Sequence, residues 1–120
     1  MSAFRITLEG ARAAFAPGET IAGEVAWSAP NPPGSLALRL FWYTQGKGTR
    51  DVGLVWEEPI DAIAATGRQR FRVKAPEHPP SVSGRLVSIC WALEVVGSDD
   101  VARLDLVIGP GRREVVLGDA

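Results

Sequence analysis

Hydrophobic and polar residues alternate along most of this chain, and that alternation predicts extended strands with one face turned toward a core. In the first segment Phe4, Ile6 and Leu8 share one face, while the residues between them are polar or charged. The same period of two recurs in five further segments, 21–27, 35–44, 67–74, 85–96 and 102–108, and a further strand is predicted at 52–57 after a glycine-containing loop. We therefore predict seven strands, or eight if 113–117 forms a last short strand.

The segments between the alternating runs contain residues that end strands. Pro17 and Gly18 are typical of a tight turn, and most of the other prolines lie in the loops 29–34, 75–84 and 109–111. A glycine-containing loop is also predicted at 45–49. Helix-forming residues gather only at 61–66, which is too short for more than one turn. The chain is therefore predicted to be one all-β domain, 1–120, built as a two-sheet immunoglobulin-like sandwich without a significant helix.

Two of the predicted strands have unusual features. Gly23 lies inside the strand 21–27, where glycine is typical of a bulge or of a close approach by another backbone. The strand 35–44 is apolar on much of both faces. This predicts either a central strand or a strand whose second face is covered by another chain.

Composition and charge exclude several classes of protein. The chain has 120 residues, 46% of them hydrophobic and 22% charged, with a formal net charge of −1. This composition argues against disorder and against a dedicated nucleic-acid-binding protein, which would be more basic. The start lacks the apolar run of a signal peptide, and no segment is apolar for long enough to span a bilayer. We expect a soluble, cytoplasmic protein without an integral membrane segment.

Residues that could support catalysis or bind a cofactor are few and scattered. His78 is the only histidine, and no nucleophile motif accompanies it. Cys90 cannot form an internal disulfide and is expected to be a small buried residue. One cysteine and one histidine cannot complete a usual zinc site, and the pair 99–100 lacks the spacing of a calcium loop. We predict no catalytic residue, no cofactor-binding residue and no metal site.

A phosphate-binding loop is the other cofactor site considered. The residues at 46–49, Gly-Lys-Gly-Thr, are similar to the end of such a loop. The leading glycine of the motif is missing, however, and no helix follows. We therefore predict no nucleotide site.

A row of cations is the most prominent charge feature. On one predicted strand, Gln69, Phe71 and Val73 share one face and the cations Arg68, Arg70, Arg72 and Lys74 share the other. The row is either a solvated face whose charges deter edge-to-edge pairing, or a contact for an anion or an acidic peptide, because arginine binds carboxylates bidentately.

Aromatic residues suggest a second contact. The four tryptophans lie on alternating strands and are expected to pack in the core. Phe41 and Tyr43 fall on the face opposite Trp42 and are candidates for an exposed binding patch. The candidate partner-binding residues are Phe41, Tyr43, Arg70, Arg72 and Lys74.

Two segments together resemble the arrestin-like superfamily. Residues 15–25, FAPGETIAGEV, are similar to its "F-x-P-G-E-x-[VI]-x-G-x-V" turn and strand. The segments 71–73, 75–84 and 89–93 resemble its "F-x-F-x-L-P-x-x-L-P-P-S-F-x-G" run and the "I-x-Y-x-L" strand that follows. The resemblance covers roughly residues 4–108 and implies an adaptor or scaffold rather than an enzyme. Family members generally have two such lobes, whereas this chain has the length of one, and no residue here takes a named binding role from the family.

Three functional hypotheses follow. The first is a non-enzymatic module that binds another protein, or a second copy of itself, through an exposed strand edge or sheet face. The second is a structural subunit of a homo-oligomer or larger complex, with the strand 35–44 as its interface. The third is a small-ligand-binding sandwich. The identity of the partner is not predicted, and its existence is expected because the chain has half the usual architecture of the superfamily.

Overall fold

The computed structural model describes residues 2–48 and 50–117, and extended strands make up most of this part of the chain. Thr49 lies outside the described residues. It belongs to the predicted loop 45–49 and is the last residue of the Gly-Lys-Gly-Thr sequence at 46–49. The strands are β1 (Phe4–Leu8), β2 (Ala14–Phe15), β3 (Thr20–Ser28), β4 (Gly34–Gly46), β5 (Val52–Ala62), β6 (Thr66–Lys74), β7 (Val82–Ser83), β8 (Val87–Val96), β9 (Val101–Ile108) and β10 (Val115–Val116). Two 3₁₀ turns, Glu9–Ala11 and Pro110–Arg112, accompany them.

The strands form two sheets. The smaller sheet has the order β1–β3–β6 and is antiparallel throughout. In the larger sheet β5, β4 and β8 are consecutive neighbours. The second edge of β8 pairs with β7 near its start and with β9 along the rest, and the two-residue strands β2 and β10 pair with β9 and β7. The predicted all-β sandwich is confirmed, with seven strands of five or more residues among the ten described.

The core lies between the sheets and follows the predicted alternation. Its fully buried members include Ile21 and Val25 on β3, Leu38 on β4, and Trp91 and Leu93 on β8. Trp27 is also buried, while Trp42 and Trp56 are half-buried and pack against the same cluster. The expected packing in the core is therefore confirmed for Trp27 and Trp91, whereas Trp42 and Trp56 pack at its margin.

The doubly apolar strand proves to be central. β4 lies between β5 and β8, so both of its edges are hydrogen-bonded within the chain. Its pairing with β5 shifts register between Leu40, opposite Trp56, and Phe41, opposite Leu54, which leaves Val55 as the inserted residue of a bulge. The strand 35–44 therefore offers no free edge to another chain.

Gly23 marks a close approach, one of its two predicted meanings. The β1–β3 register is continuous through Gly23, opposite Leu8, so the strand contains no bulge there. A Cβ atom at Gly23 would lie 2.3 Å from the main-chain oxygen of Thr7. Only glycine lets β1 and β3 approach this closely.

The described chain contains no helix with the length and hydrophobicity needed to cross a bilayer. Residues 61–66, where helix formers gather, instead end β5, bend, and begin β6. This short connection takes the chain from the larger sheet to the smaller one.

Candidate functional site

The predicted basic row lies on the outer face of the three-stranded sheet. Arg68, Arg70, Arg72 and Lys74 are all exposed on β6. Across the sheet Arg68 is in register with Ala26, and Ala26 with Arg5 of β1. The five cations, Arg5 included, are named here the basic face. Sequence reasoning did not include Arg5, because only the strand register shows that it shares a row with Arg68.

Three residues of β3 lie between these cations on the outer face. Ala22 is opposite Arg72, Glu24 opposite Arg70 and Ala26 opposite Arg68, so the floor is low at the two alanines and carries one carboxylate between them. One end of this face is an open depression of about 570 Å³, lined by Arg5, Ala26 and Arg68 among other residues. The arrangement is a shallow trough with a cationic wall along β6.

Most of this charge has no partner within the described residues. Glu24 is the acidic side chain nearest to the row, and its Oε1 atom is 4.0 Å from Nη1 of Arg68. In residues 2–48 and 50–117, Arg5, Arg70, Arg72 and Lys74 form no ion pair within 4.0 Å. Successive cations on β6 are spaced by about 6.8 Å, the repeat of alternate residues on a strand. The row therefore matches the spacing of alternate side chains on another extended chain.

The same residues also hold the free main-chain groups of β6. Among the described strands β6 pairs with β3 alone. At one end the Ala75 N–H donates to the main-chain carbonyl of Glu19 (2.7 Å), and at the other the Ala29 N–H donates to the main-chain carbonyl of Ala65 (2.9 Å). In an antiparallel ladder the main-chain groups of alternate residues point to the same side. The N–H and C=O groups of the odd-numbered residues of β6 therefore point toward β3. Those of the even-numbered residues point to the free edge, and these residues are Arg68, Arg70, Arg72 and Lys74.

Phe41 and Tyr43 lie on the outer face of the larger sheet, as predicted, but Phe41 is not exposed. Its exposed fraction is 9%, because the Arg103 guanidinium lies over its ring at 5.3 Å and over the Tyr43 ring at 4.2 Å. Arg103 in turn bonds Asp105 at 3.4 Å. The expectation of an exposed Phe41 was wrong, since the sequence does not show that β9 places an arginine over it.

Tyr43 is half-buried in the same cluster. Its hydroxyl donates a hydrogen bond to Asp105 at 3.4 Å, and burial followed by the Asp105 charge raises its pKa. Both effects keep the phenol protonated. A contact of Phe41 or Tyr43 with a partner stays a prediction.

A second free edge belongs to β5, which pairs only with β4 among the described strands. The Thr44 N–H donates to the main-chain carbonyl of Asp51 (2.9 Å), so the main-chain groups of Asp51 point toward β4. Those of Val52 and Leu54 therefore point away from β4. Beyond the bulge at Val55, the outward-facing residues Glu57, Pro59 and Asp61 occupy the corresponding edge positions. Proline is tolerated at position 59 because the main-chain nitrogen there points to the free edge, so no hydrogen bond to β4 is lost. The aliphatic start of β5 is open to solvent, with exposed fractions of 69% for Val52 and 55% for Leu54.

The residues considered for chemistry have separate environments. His78 is exposed in the loop before β7. Cys90 is half-buried on the outer face of the larger sheet, with its Sγ atom 3.8 Å from the Gln45 side-chain oxygen, so the expectation of a buried thiol was wrong. No group of three or more histidine, cysteine or acidic residues in the described chain could hold a metal ion.

The acidic pair at 99–100 has a structural contact rather than only solvent around it. Asp100 accepts hydrogen bonds from the N–H groups of Ala3 (2.7 Å) and Val101 (2.8 Å) and from the Ser2 hydroxyl (3.1 Å). These bonds, that from Ala3 foremost, lower its pKa. Asp100 thus fixes the start of β1 to the β8–β9 hairpin. The turn of this hairpin is closed by the Gly97 N–H, which donates to the Asp100 carbonyl (2.9 Å).

Comparison with known proteins gives a likeness of fold. No family model matches the sequence, and no curated protein matches it. The fold is similar to the crystal structure of Spo0M, the sporulation control protein of Bacillus subtilis, with a TM-score of 0.63 and 14% identity over 91% of this chain and 49% of that chain. The β-glucosidase of Listeria innocua gives a TM-score of 0.48 and 14% identity over 95% of this chain and 16% of that one. This chain thus spans about half the length of the Spo0M chain. Spo0M has an arrestin-like fold, so the likeness agrees with the arrestin-like resemblance at the level of the fold.

Proposed function

We propose that this protein is a non-enzymatic interaction module that binds a protein partner at the basic face and the free edge of β6. One observation supports this above all. Arg68, Arg70, Arg72 and Lys74 combine outward main-chain groups with exposed cationic side chains, three of which have no ion-pair partner in the described chain. A strand that docks here gains main-chain hydrogen bonds and side-chain recognition from the same residues.

The chemistry of the edge defines the partner it fits. Residues directly opposite each other on neighbouring antiparallel strands have side chains close enough to interact, and opposite charges there stabilise the pair. Carboxylates at alternate positions of an added strand would each meet a guanidinium, which binds them with two parallel hydrogen bonds. The proposed partner therefore presents an extended segment with acidic residues on one face.

Partner capture with charge-reversed protein tests this proposal. Tagged wild-type protein and the double variant Arg70→Glu/Arg72→Glu are used as baits in source lysate, and bound proteins are identified by mass spectrometry. The matched control is Arg50→Glu/Arg113→Glu, which reverses two exposed arginines away from the basic face. We expect the first variant to lose a partner that wild type and control both retain. Equal capture by all three baits would leave the row as a solvated face that deters pairing.

A second candidate function, a structural subunit of an oligomer, is favoured by the aliphatic edge of β5. Exposed Val52 and Leu54 with free main-chain groups are typical of an edge that pairs with another chain. β4, the interface first expected for this function, is enclosed between β5 and β8. Because both edges of β4 are paired, an oligomer built by strand pairing would form through an outer strand.

A further inference from the structure

We infer that the segment docking on β6 is β5 of a second copy of this chain, and that two copies form a closed dimer in which each β5 pairs with the other copy's β6. This inference rests on the proposed function, since it names the partner of the same edge. It is carried by the position, the charge and the main-chain polarity of the two free edges.

Both free edges lie on the same side of the sandwich. The connection between β5 and β6 is only residues 63–65, and β6 lies beside β5 while β1 lies over β8 and β9. The rings of Trp56 on β5 and Phe71 on β6 are 6.5 Å apart across the gap between the sheets. Trp56 and Phe71 are therefore level with each other, and residues at matching distances from the connection share a level.

The two edges carry opposite charge. The residues of β6 that face its free edge are three arginines and a lysine, whereas those of β5 beyond the bulge are Glu57, Pro59 and Asp61. Two copies of β6 paired with each other would bring arginine against arginine, which is destabilising. A β5 strand laid on β6 brings carboxylates against guanidinium groups. The charge pattern thus favours β5 with β6 over β6 with itself.

One register satisfies both charge and level. In antiparallel pairing, Asp61 of one copy lies opposite Arg68 of the other, Pro59 opposite Arg70, and Glu57 opposite Arg72. The contact between Trp56 and Phe71 shows which residues of β5 and β6 lie at the same height along the strands. In this register, paired residues differ in height by about one strand position. The side chains of all six residues point to the outer face. Their main-chain groups point to the free edge, as a hydrogen-bonded pair requires.

Symmetry then closes the assembly. A two-fold axis parallel to the strands relates the two copies. The larger sheet of each copy then continues into the smaller sheet of the other. The β5–β6 contact is made twice, and both edges on this side of each sandwich are used. An isologous contact of this kind ends at two copies instead of growing into a fibre.

Two features of β5 limit the strength of the pairing. Pro59 has no N–H, so the carbonyl of the opposite Arg70 gains no bond from it. Glu57 already accepts a hydrogen bond from Arg39 (2.6 Å), so in the dimer it would lie between two guanidinium groups. Proline and charged residues on an edge discourage indiscriminate pairing. Here they leave β5 selective for a strand with cations at the matching positions.

A charge-exchange experiment tests the dimer. Molar mass is measured by light scattering across a concentration series for wild type and two variants. Variant A, Arg68→Glu/Arg72→Glu, makes both free edges acidic, and variant B, Glu57→Arg/Asp61→Arg, makes both basic. We expect wild type to be dimeric and each variant alone to dissociate at a concentration higher by about tenfold or more. An equimolar mixture of A and B should recover the dimer, because both β5–β6 contacts are then complementary.

The controls separate this inference from the proposed function. Arg5→Glu reverses a cation of the basic face on β1, and it should leave the dimer intact. Thermal melts of each variant establish that it folds. A wild-type protein that stays monomeric up to its solubility limit, or a mixture of A and B that stays monomeric, overturns the dimer. If a different protein is still captured through Arg70 and Arg72, the proposed function stands without it.

Discussion

The carboxylate of Glu19 accepts two hydrogen bonds from the guanidinium of Arg112, at 2.9 Å from Nε and 2.6 Å from Nη2. The pair joins the turn before β3 to the 3₁₀ turn after β9, 93 residues later in the chain. Glu19 also accepts the Ala16 N–H at 2.6 Å and lies 2.8 Å from Arg12. The bonds from Arg112, then from Ala16, lower the pKa of Glu19 to about 2 from its ordinary value of 4.5.

This depressed pKa predicts a pH window for stability. A carboxyl group whose pKa falls on folding stabilises the native state above its unfolded pKa, and that contribution is lost as the pH falls toward the folded pKa. The melting temperature of wild type should therefore exceed that of Glu19→Gln at pH 7, and the difference should shrink between about pH 4.5 and pH 2. Arg113→Gln, at the exposed neighbour of Arg112, is the control and should follow wild type. A wild-type advantage that is constant down to pH 2.5 would contradict the prediction.

Gly23 gives a prediction about packing between β1 and β3. A Cβ atom at this position would meet the Thr7 carbonyl oxygen at 2.3 Å, and main-chain atoms cannot move aside as a flexible side chain can. Gly23→Ala should therefore destabilise the protein by about 1–3 kcal/mol, the usual cost of forcing atoms into a packed site. Chemical denaturation measures this cost. The control is Ala22→Ser on the same strand, where the side chain faces out, and an equally small effect of both substitutions would sink the explanation.

Ser81 is the buried polar residue of the described core, and its hydroxyl has a defined task. Its Oγ atom accepts the Ile108 N–H at 3.0 Å, while its own N–H donates to the Ile108 carbonyl at 2.6 Å. Ser81→Ala leaves a buried N–H unpaired, which costs about 1–3 kcal/mol. Ser83→Ala, in the neighbouring β7, should cost less. Hydrogen exchange should show the Ile108 amide losing protection in Ser81→Ala, and unchanged exchange there would refute the role.

The strands were predictable from the sequence because each has one face in the core. Leu36, Leu38 and Leu40 are separated by residues of the other face, and the alternation marks them whatever strand lies beside them. Which strands are neighbours was not predictable, since period two assigns a residue to a face and says nothing about the next strand. For this reason the central position of β4 and the free edges of β5 and β6 emerged only from the structure.

The candidate site was predicted in part for the same reason. The row from Arg68 to Lys74 lies within one strand, so alternation placed it correctly on an outer face. Arg5 joins it through cross-strand register, and Arg103 covers Phe41 from another strand. Both relationships depend on pairings between segments distant in sequence. Burial of an outward-facing aromatic residue therefore could not be anticipated from its own strand.

Arg103 supplies the last prediction, because it covers the aromatic pair on the outer face of the larger sheet. Its guanidinium lies 4.2 Å from the Tyr43 ring centroid and 5.3 Å from that of Phe41. The side chain is 41% exposed, so its stacking should contribute only about 0.5–1 kcal/mol to stability. Arg103→Ala should thus lower the free energy of unfolding slightly while uncovering Phe41.

The exposure of Phe41 gives this substitution a distinct readout. Binding of an environment-sensitive apolar dye should rise in Arg103→Ala, and a second substitution, Phe41→Ser, should abolish the increase. Arg103→Lys should bind less dye than Arg103→Ala, since the lysine stem still covers part of the ring. Dye binding that rises equally in Arg103→Ala and in Arg103→Ala/Phe41→Ser would mean that Arg103 does not shield Phe41. The predicted order is Arg103→Ala highest, Arg103→Lys intermediate, and wild type lowest.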